Sequence, residues 1–80
     1  IFPWPFPIVY VEKMMTEKLQ AREIILEFHP VGNIMRVSAM DTATMTEVTL
    51  QGPVNAGEHV LKKNVLAKLE YVLRKEGVIT

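Results

Sequence analysis

The sequence contains no cysteine, no excess of charge of either sign and no apolar run of membrane-spanning length. Without cysteine there is no disulfide framework, no zinc–thiolate site and no thiol nucleophile. Nine basic residues balance nine acidic ones, which removes the attraction that drives non-specific binding to nucleic acid or anionic membranes. The uncharged N-terminal stretch of eleven residues is about half of the roughly 20 that a spanning helix needs. We therefore expect no membrane span and a cytoplasmic protein.

The uncharged N-terminal stretch is rich in proline and aromatic residues. Three prolines alternate with two aromatic residues between Pro3 and Pro7. Each proline fixes its own φ and keeps the preceding residue out of the helical region, so the pattern predicts an extended arm over residues 1–11. Aromatic side chains at this density are costly to leave in water. The arm is therefore expected either to bind a partner or to fold back over the protein's own sheet.

Alternation of apolar and polar residues predicts three strands after the arm. Residues 12–22 mix apolar and charged side chains without proline or glycine, which predicts a short helix or a lead-in to the first strand. Ile24, Leu26 and Phe28 then occupy alternate positions, the signature of a half-buried strand. Short turns between consecutive strands favour an antiparallel meander. The predicted strands cover residues 23–28, 34–40 and 45–51, separated by turns over residues 29–33 and 41–44.

The clearest periodicity lies in the last third of the chain. Six apolar residues fall within an arc of about 140° when each residue turns ~100° around a helix; they are Leu61, Val65, Leu66, Leu69, Val72 and Leu73. Asn55 followed by Glu58 predicts a reciprocal cap at the helix start, and Gly77 predicts a glycine cap at its end. Residues 23–80 are thus predicted to form one α+β domain, a three-stranded antiparallel β-meander followed by a C-terminal α-helix packed on one sheet face.

A second, weaker strip runs along the same helix. Val60, Asn64, Ala67 and Tyr71 lie together, roughly opposite the main apolar stripe. The strip is either exposed to solvent, which scattered apolar residues tolerate, or a docking strip for a second copy or another protein.

Residues that could carry chemistry do not converge in the sequence. His29 and His59 lack the spacing of a metal site and are expected to face solvent. Asp41 with Thr42 and Thr44 is expected to bond the backbone of a tight turn rather than to act as a nucleophile and base. No phosphate-binding glycine loop occurs. We therefore predict no catalytic residue, no metal and no cofactor, and a protein that is not an enzyme.

Three segments carry a resemblance to known sequences: the turn at Phe28–Asn33, the corner at Gly52–Pro53 and the helix end at Lys68–Leu73. Through them the stretch Glu23–Gly77 resembles a family of short uncharacterised alphaproteobacterial proteins, some of which carry a serine hydroxymethyltransferase label. Eighty residues are too few to enclose pyridoxal phosphate and a folate substrate. The resemblance implies a shared bacterial fold without an established activity, and the aromatic arm departs from the family pattern.

One helix on a three-stranded sheet would leave one sheet face and both edge strands uncovered, and chains of this size are barely stable alone. The leading hypothesis is therefore a non-enzymatic protein–protein interaction module, a small accessory subunit or a homo-oligomer, whose partner is itself or a larger protein complex. The predicted anchors are Phe2, Trp4, Phe6 and Tyr10, with Tyr71 as a second contact.

The alternative hypothesis is a small nucleic-acid-binding regulator that uses the basic face of the C-terminal helix. That face would consist of Lys62, Lys63, Lys68, Arg74 and Lys75. Nucleic acid is the less favoured partner, because glutamates are mixed with these cations and no aromatic platform lies between them.

Overall fold

A computed structural model of the chain describes residues 8–14, for their backbone alone, and residues 22–79. The described part is a four-stranded antiparallel sheet in the order β1-β2-β3-β4, followed by one long helix. Its elements are β1 (Ile8–Met14), β2 (Arg22–Val31), β3 (Ile34–Asp41), β4 (Thr46–Pro53), a single 3-10 turn (Val54–Ala56) and α1 (Glu58–Lys75). The predicted three-stranded meander and C-terminal helix are confirmed as β2, β3, β4 and α1.

The additional strand β1 comes from residues that the sequence assigned to the arm and the lead-in. β1 pairs antiparallel with β2, with Val11 opposite Ile25. The end of the arm therefore covers the β2 edge of the three-stranded meander, because β-branched residues favour a strand there and β1 satisfies the open backbone groups of β2. Glu12–Met14 are extended rather than helical. Residues 1–7 and 15–21 lie outside the described part.

The hydrophobic core lies between α1 and one face of the sheet. Alternate residues of β2 and β3 are fully buried, as their period-two pattern predicts, and α1 packs across β3 and β4. The buried apolar residues are Ile24, Leu26, Phe28, Met35, Val37, Ala39, Val48, Leu61, Val65, Leu69 and Leu73. Four of the six predicted helix residues are buried, and Leu66 and Val72 pack at the margin.

The first turn is shorter than the sequence predicts, and the second turn ends one residue later. β2 continues to Val31, so the first hairpin turns at Gly32 and Asn33, where Gly32 has a φ of +60°. β4 starts at Thr46 because Met45 has a φ of +61°, a backbone conformation that side chains other than Asn and Asp seldom adopt. β4 then runs through Gly52 to Pro53. A Cβ at Gly52 would lie only 2.6 Å from Leu61 Cδ2, so glycine allows α1 to approach β4.

The two ends of α1 compare differently with the prediction. The reciprocal cap by Asn55 and Glu58 is wrong: Asn55 lies in the 3-10 turn, and Gly57 precedes the helix with a φ of +94° and no side-chain cap. Gly77 is confirmed as the glycine at the C-terminal end, with a φ of +80°. The Gly77 N–H donates to the Arg74 carbonyl at 3.0 Å, and the Val78 N–H donates to the Leu73 carbonyl at 2.9 Å. These two bonds satisfy carbonyls that the helix leaves open.

Candidate interaction site

The face of the sheet that lies opposite α1, here called the outer face, carries a shallow polar depression. It is formed by the residues that alternate with the buried ones along β2, β3 and β4. The depression has a volume of about 240 Å³ and is lined by Glu27, His29, Arg36, Ser38, Glu47 and Thr49.

Strand register fixes the arrangement of these polar side chains. Glu27 lies opposite Ser38, and Ser38 lies opposite Thr49 on the next strand. Arg36 lies opposite His29. The Arg36 guanidinium and the His29 imidazole therefore lie beside the row of Glu27, Ser38 and Thr49, in which Glu27 supplies the carboxylate. Residues 22–79 supply no hydrogen bond or ion pair to any of the six side chains. Within residues 22–79, the outer face therefore presents donors and acceptors without a protein partner, and buried or half-buried polar groups of this kind need one.

Apolar residues border the depression at the end of the first hairpin. Val31 lies opposite Ile34, and Ile34 lies opposite Pro53. Both Val31 and Ile34 are exposed. A polar depression next to a short apolar row combines the two kinds of contact that protein–protein interfaces use.

Of the five predicted anchors, Tyr10 and Tyr71 belong to the described residues. Phe2, Trp4 and Phe6 lie outside the described residues. Tyr10 lies in β1 opposite Leu26, and its side chain is not among those described. Tyr71 is 59% exposed and lies on the side of α1 that faces away from the sheet, since the neighbouring turns bury Leu69 and Leu73. Tyr71 and the outer face therefore cannot contact the same partner surface.

The edge of the sheet at β4 is occupied by a helix side chain. Lys68 Nζ donates a hydrogen bond to the Thr49 carbonyl at 2.7 Å, and Pro53 has no N–H to offer. A charged side chain and a proline are common ways to stop an edge strand from pairing with another chain. At the opposite edge, the described residues place no strand beyond β1.

Part of the predicted basic face of α1 is engaged within the protein. Besides Lys68, Arg74 Nη2 lies 3.1 Å from Glu70 Oε1, one helical turn away. Two of the five predicted cations are therefore held by local contacts.

A buried ion pair, which the sequence analysis missed, connects the start of β2 with the end of β3. Asp41 is fully buried, and its Oδ2 accepts from Arg22 Nη1 at 2.8 Å and from Thr44 Oγ1 at 2.8 Å. The Thr44 N–H donates to the same oxygen at 3.2 Å, so the predicted bonding of Asp41 to the turn backbone is confirmed. The sequence does not predict this ion pair, because it assigns Arg22 to the lead-in over residues 12–22 and not to a strand. The pairing of β2 with β3 brings Arg22 and Asp41 together.

The two histidines occupy different environments. His29 is half-buried in the outer-face depression, and His59 is exposed in the first turn of α1. Within residues 22–79, no group of three or more acidic, histidine or cysteine residues is placed to hold a metal ion. The described helices also include none with the length and apolar character needed to cross a bilayer.

The family of the chain is shown by comparison with models of known protein families. Residues 21–76 match the model of a family described as a domain of unknown function, DUF6898. No curated protein and no solved structure matches the chain.

Proposed function

Because the chain belongs to the DUF6898 family, whose function is unknown, we propose its function from its surfaces: a non-enzymatic protein–protein interaction module. It acts as a small accessory subunit or as a homo-oligomer that docks through the outer face and the aromatic arm. The partner is a second copy of the chain or a larger protein complex. We further propose that the protein works in the bacterial cytoplasm and that the family is alphaproteobacterial.

The observation that carries this proposal is the one-sided cover of the sheet. α1 packs over β3 and β4 on one face of the sheet. On the outer face, the polar side chains that line the depression have no partner among residues 22–79, and Val31 and Ile34 beside them are exposed. A domain of this size buries only about 60% of the surface that its unfolded chain exposes. A partner on the outer face adds buried area to a small core and satisfies Glu27, Arg36 and Glu47 with complementary charges.

The arm supplies the second part of the proposed contact. The end of the arm is fixed to the sheet edge as β1. Phe2, Trp4 and Phe6 are proposed to insert into the partner, with Tyr10 at the base of the arm. Aromatic anchors dominate interface energies, and a proline-stiffened segment loses little conformational entropy on docking.

The proposed docking predicts that association weakens when the arm or the outer face is altered. The triple variant Phe2→Ala/Trp4→Ala/Phe6→Ala and the single variant Arg36→Glu should each lower the self-association constant at least about tenfold, because anchor residues contribute more than ~1 kcal/mol apiece. Sedimentation velocity over a concentration series measures the constant. His59→Ala, an exposed change outside both surfaces, is the control. Association that persists unchanged in both test variants contradicts the proposal.

A further inference from the structure

The side of α1 that faces away from the sheet carries a heptad pattern. Val60, Asn64, Ala67 and Tyr71 are spaced by four, three and four residues, which are the d, a, d and a positions of a coiled-coil seam. All four are exposed, Val60 by 47% and Tyr71 by 59%. The core stripe of α1 uses other residues, so this seam is a separate surface.

We propose that this seam binds the same seam of a second copy, with the two α1 helices antiparallel about a two-fold axis between Asn64 and Ala67. Tyr71 then packs against Val60 of the second copy, and Ala67 next to the axis lets the helices approach closely. The contact is isologous, so it closes as a dimer. The inference deepens the proposed function, because it names the occupant of the predicted Tyr71 contact.

The charges beside the seam select the antiparallel orientation. Lys63 and Glu70 occupy the g positions, and Lys68 and Lys75 occupy e positions. In an antiparallel pair the g positions face each other, so Lys63 meets Glu70 of the second copy twice in the dimer. In a parallel pair g faces e, and Lys63 would meet Lys68 of the second copy. Opposite charges at these positions set partner choice and orientation.

Charge reversals on α1 test the inference without altering the apolar seam. Lys63→Glu should lower the self-association constant about tenfold, because it replaces two attractive pairs by two repulsive ones. The double variant Lys63→Glu/Glu70→Lys should restore the constant to within about twofold. Lys75→Glu carries the same change of net charge but has no charged counterpart across the antiparallel seam, so it should leave association unchanged. Sedimentation velocity gives the constants, and circular dichroism verifies that each variant is folded.

Three results would overturn the inference. A chain that does not self-associate, or associates equally in all variants, lacks this interface. A parallel dimer would instead be weakened by Lys75→Glu and strengthened by Lys63→Glu.

The arm and Arg36 variants do not touch this seam. If they leave association intact while Lys63→Glu lowers it, the proposed docking fails and the seam stands; the opposite pattern removes the seam and keeps the docking.

Discussion

Replacing Phe28 by alanine should lower the free energy of unfolding by about 3–5 kcal/mol. Phe28 is fully buried and has the largest of the fully buried side chains in the described residues. Its removal leaves a cavity under the sheet that the surrounding residues cannot fill. Because domains are stable by only about 5–15 kcal/mol, and small ones by less, the variant should be largely unfolded. Urea denaturation followed by circular dichroism measures the loss.

His59→Ala is the control for Phe28→Ala, since His59 is exposed in the first turn of α1 and lies outside the proposed contacts. It should change the stability by no more than about 0.5 kcal/mol. A Phe28→Ala variant that unfolds in the same urea range as His59→Ala would show that the core is not where the structure places it.

Replacing Asp41 by alanine should cost about 2–4 kcal/mol. The change removes the acceptor of Arg22 Nη1 and of the Thr44 N–H, and leaves a guanidinium only 20% exposed without its counter-ion. Chemical denaturation of the single variant measures this loss.

A double variant separates the loss of the pair from the cost of an unpaired charge. Arg22→Met/Asp41→Leu replaces both partners by apolar side chains and should recover a large part of the stability lost in Asp41→Ala. Arg74→Gln, which removes one partner of the more exposed pair with Glu70, is the control and should cost less than about 0.5 kcal/mol. A loss in Asp41→Ala no larger than in Arg74→Gln would mean that the buried pair does not join β2 to β3.

The elements that the sequence predicts correctly are those in which burial follows a simple period. Ile24, Leu26 and Phe28 alternate along β2, and Leu61, Val65, Leu69 and Leu73 recur along α1, because each set faces one core. The glycine end of α1 is also local, since a left-handed residue at Gly77 closes bonds to carbonyls within the last turn.

The predictions that failed depend on tertiary context. Asn55 has the residue type and spacing of a cap, but the chain needs a 3-10 turn and a positive φ at Gly57 to bring α1 back over β4. The strand β1 was not predicted, because the arm was assigned from its three prolines, although the residues after Pro7 favour strands. The missing cap at Asn55 and the additional strand β1 both depend on contacts between elements that are not encoded in the local sequence.

The candidate interaction site required register, which the sequence does not reveal. Glu27, Ser38 and Thr49 form one row only because β2, β3 and β4 pair as they do. Arg22 and Asp41 are 19 positions apart and meet for the same reason. By contrast, helix periodicity alone places Tyr71 on the side of α1 opposite the core stripe, and its exposure there makes it part of the seam.

The most direct test of the central claim, that this sheet with one covering helix relies on another chain, is the mass of the full chain by sedimentation equilibrium, combined with its thermal midpoint over a hundredfold range of concentration. We predict a mass of at least two chains of 9.1 kDa each and a Tm that rises with concentration, because association stabilises the folded state by mass action. A folded monomer of 9.1 kDa with a Tm independent of concentration would contradict it.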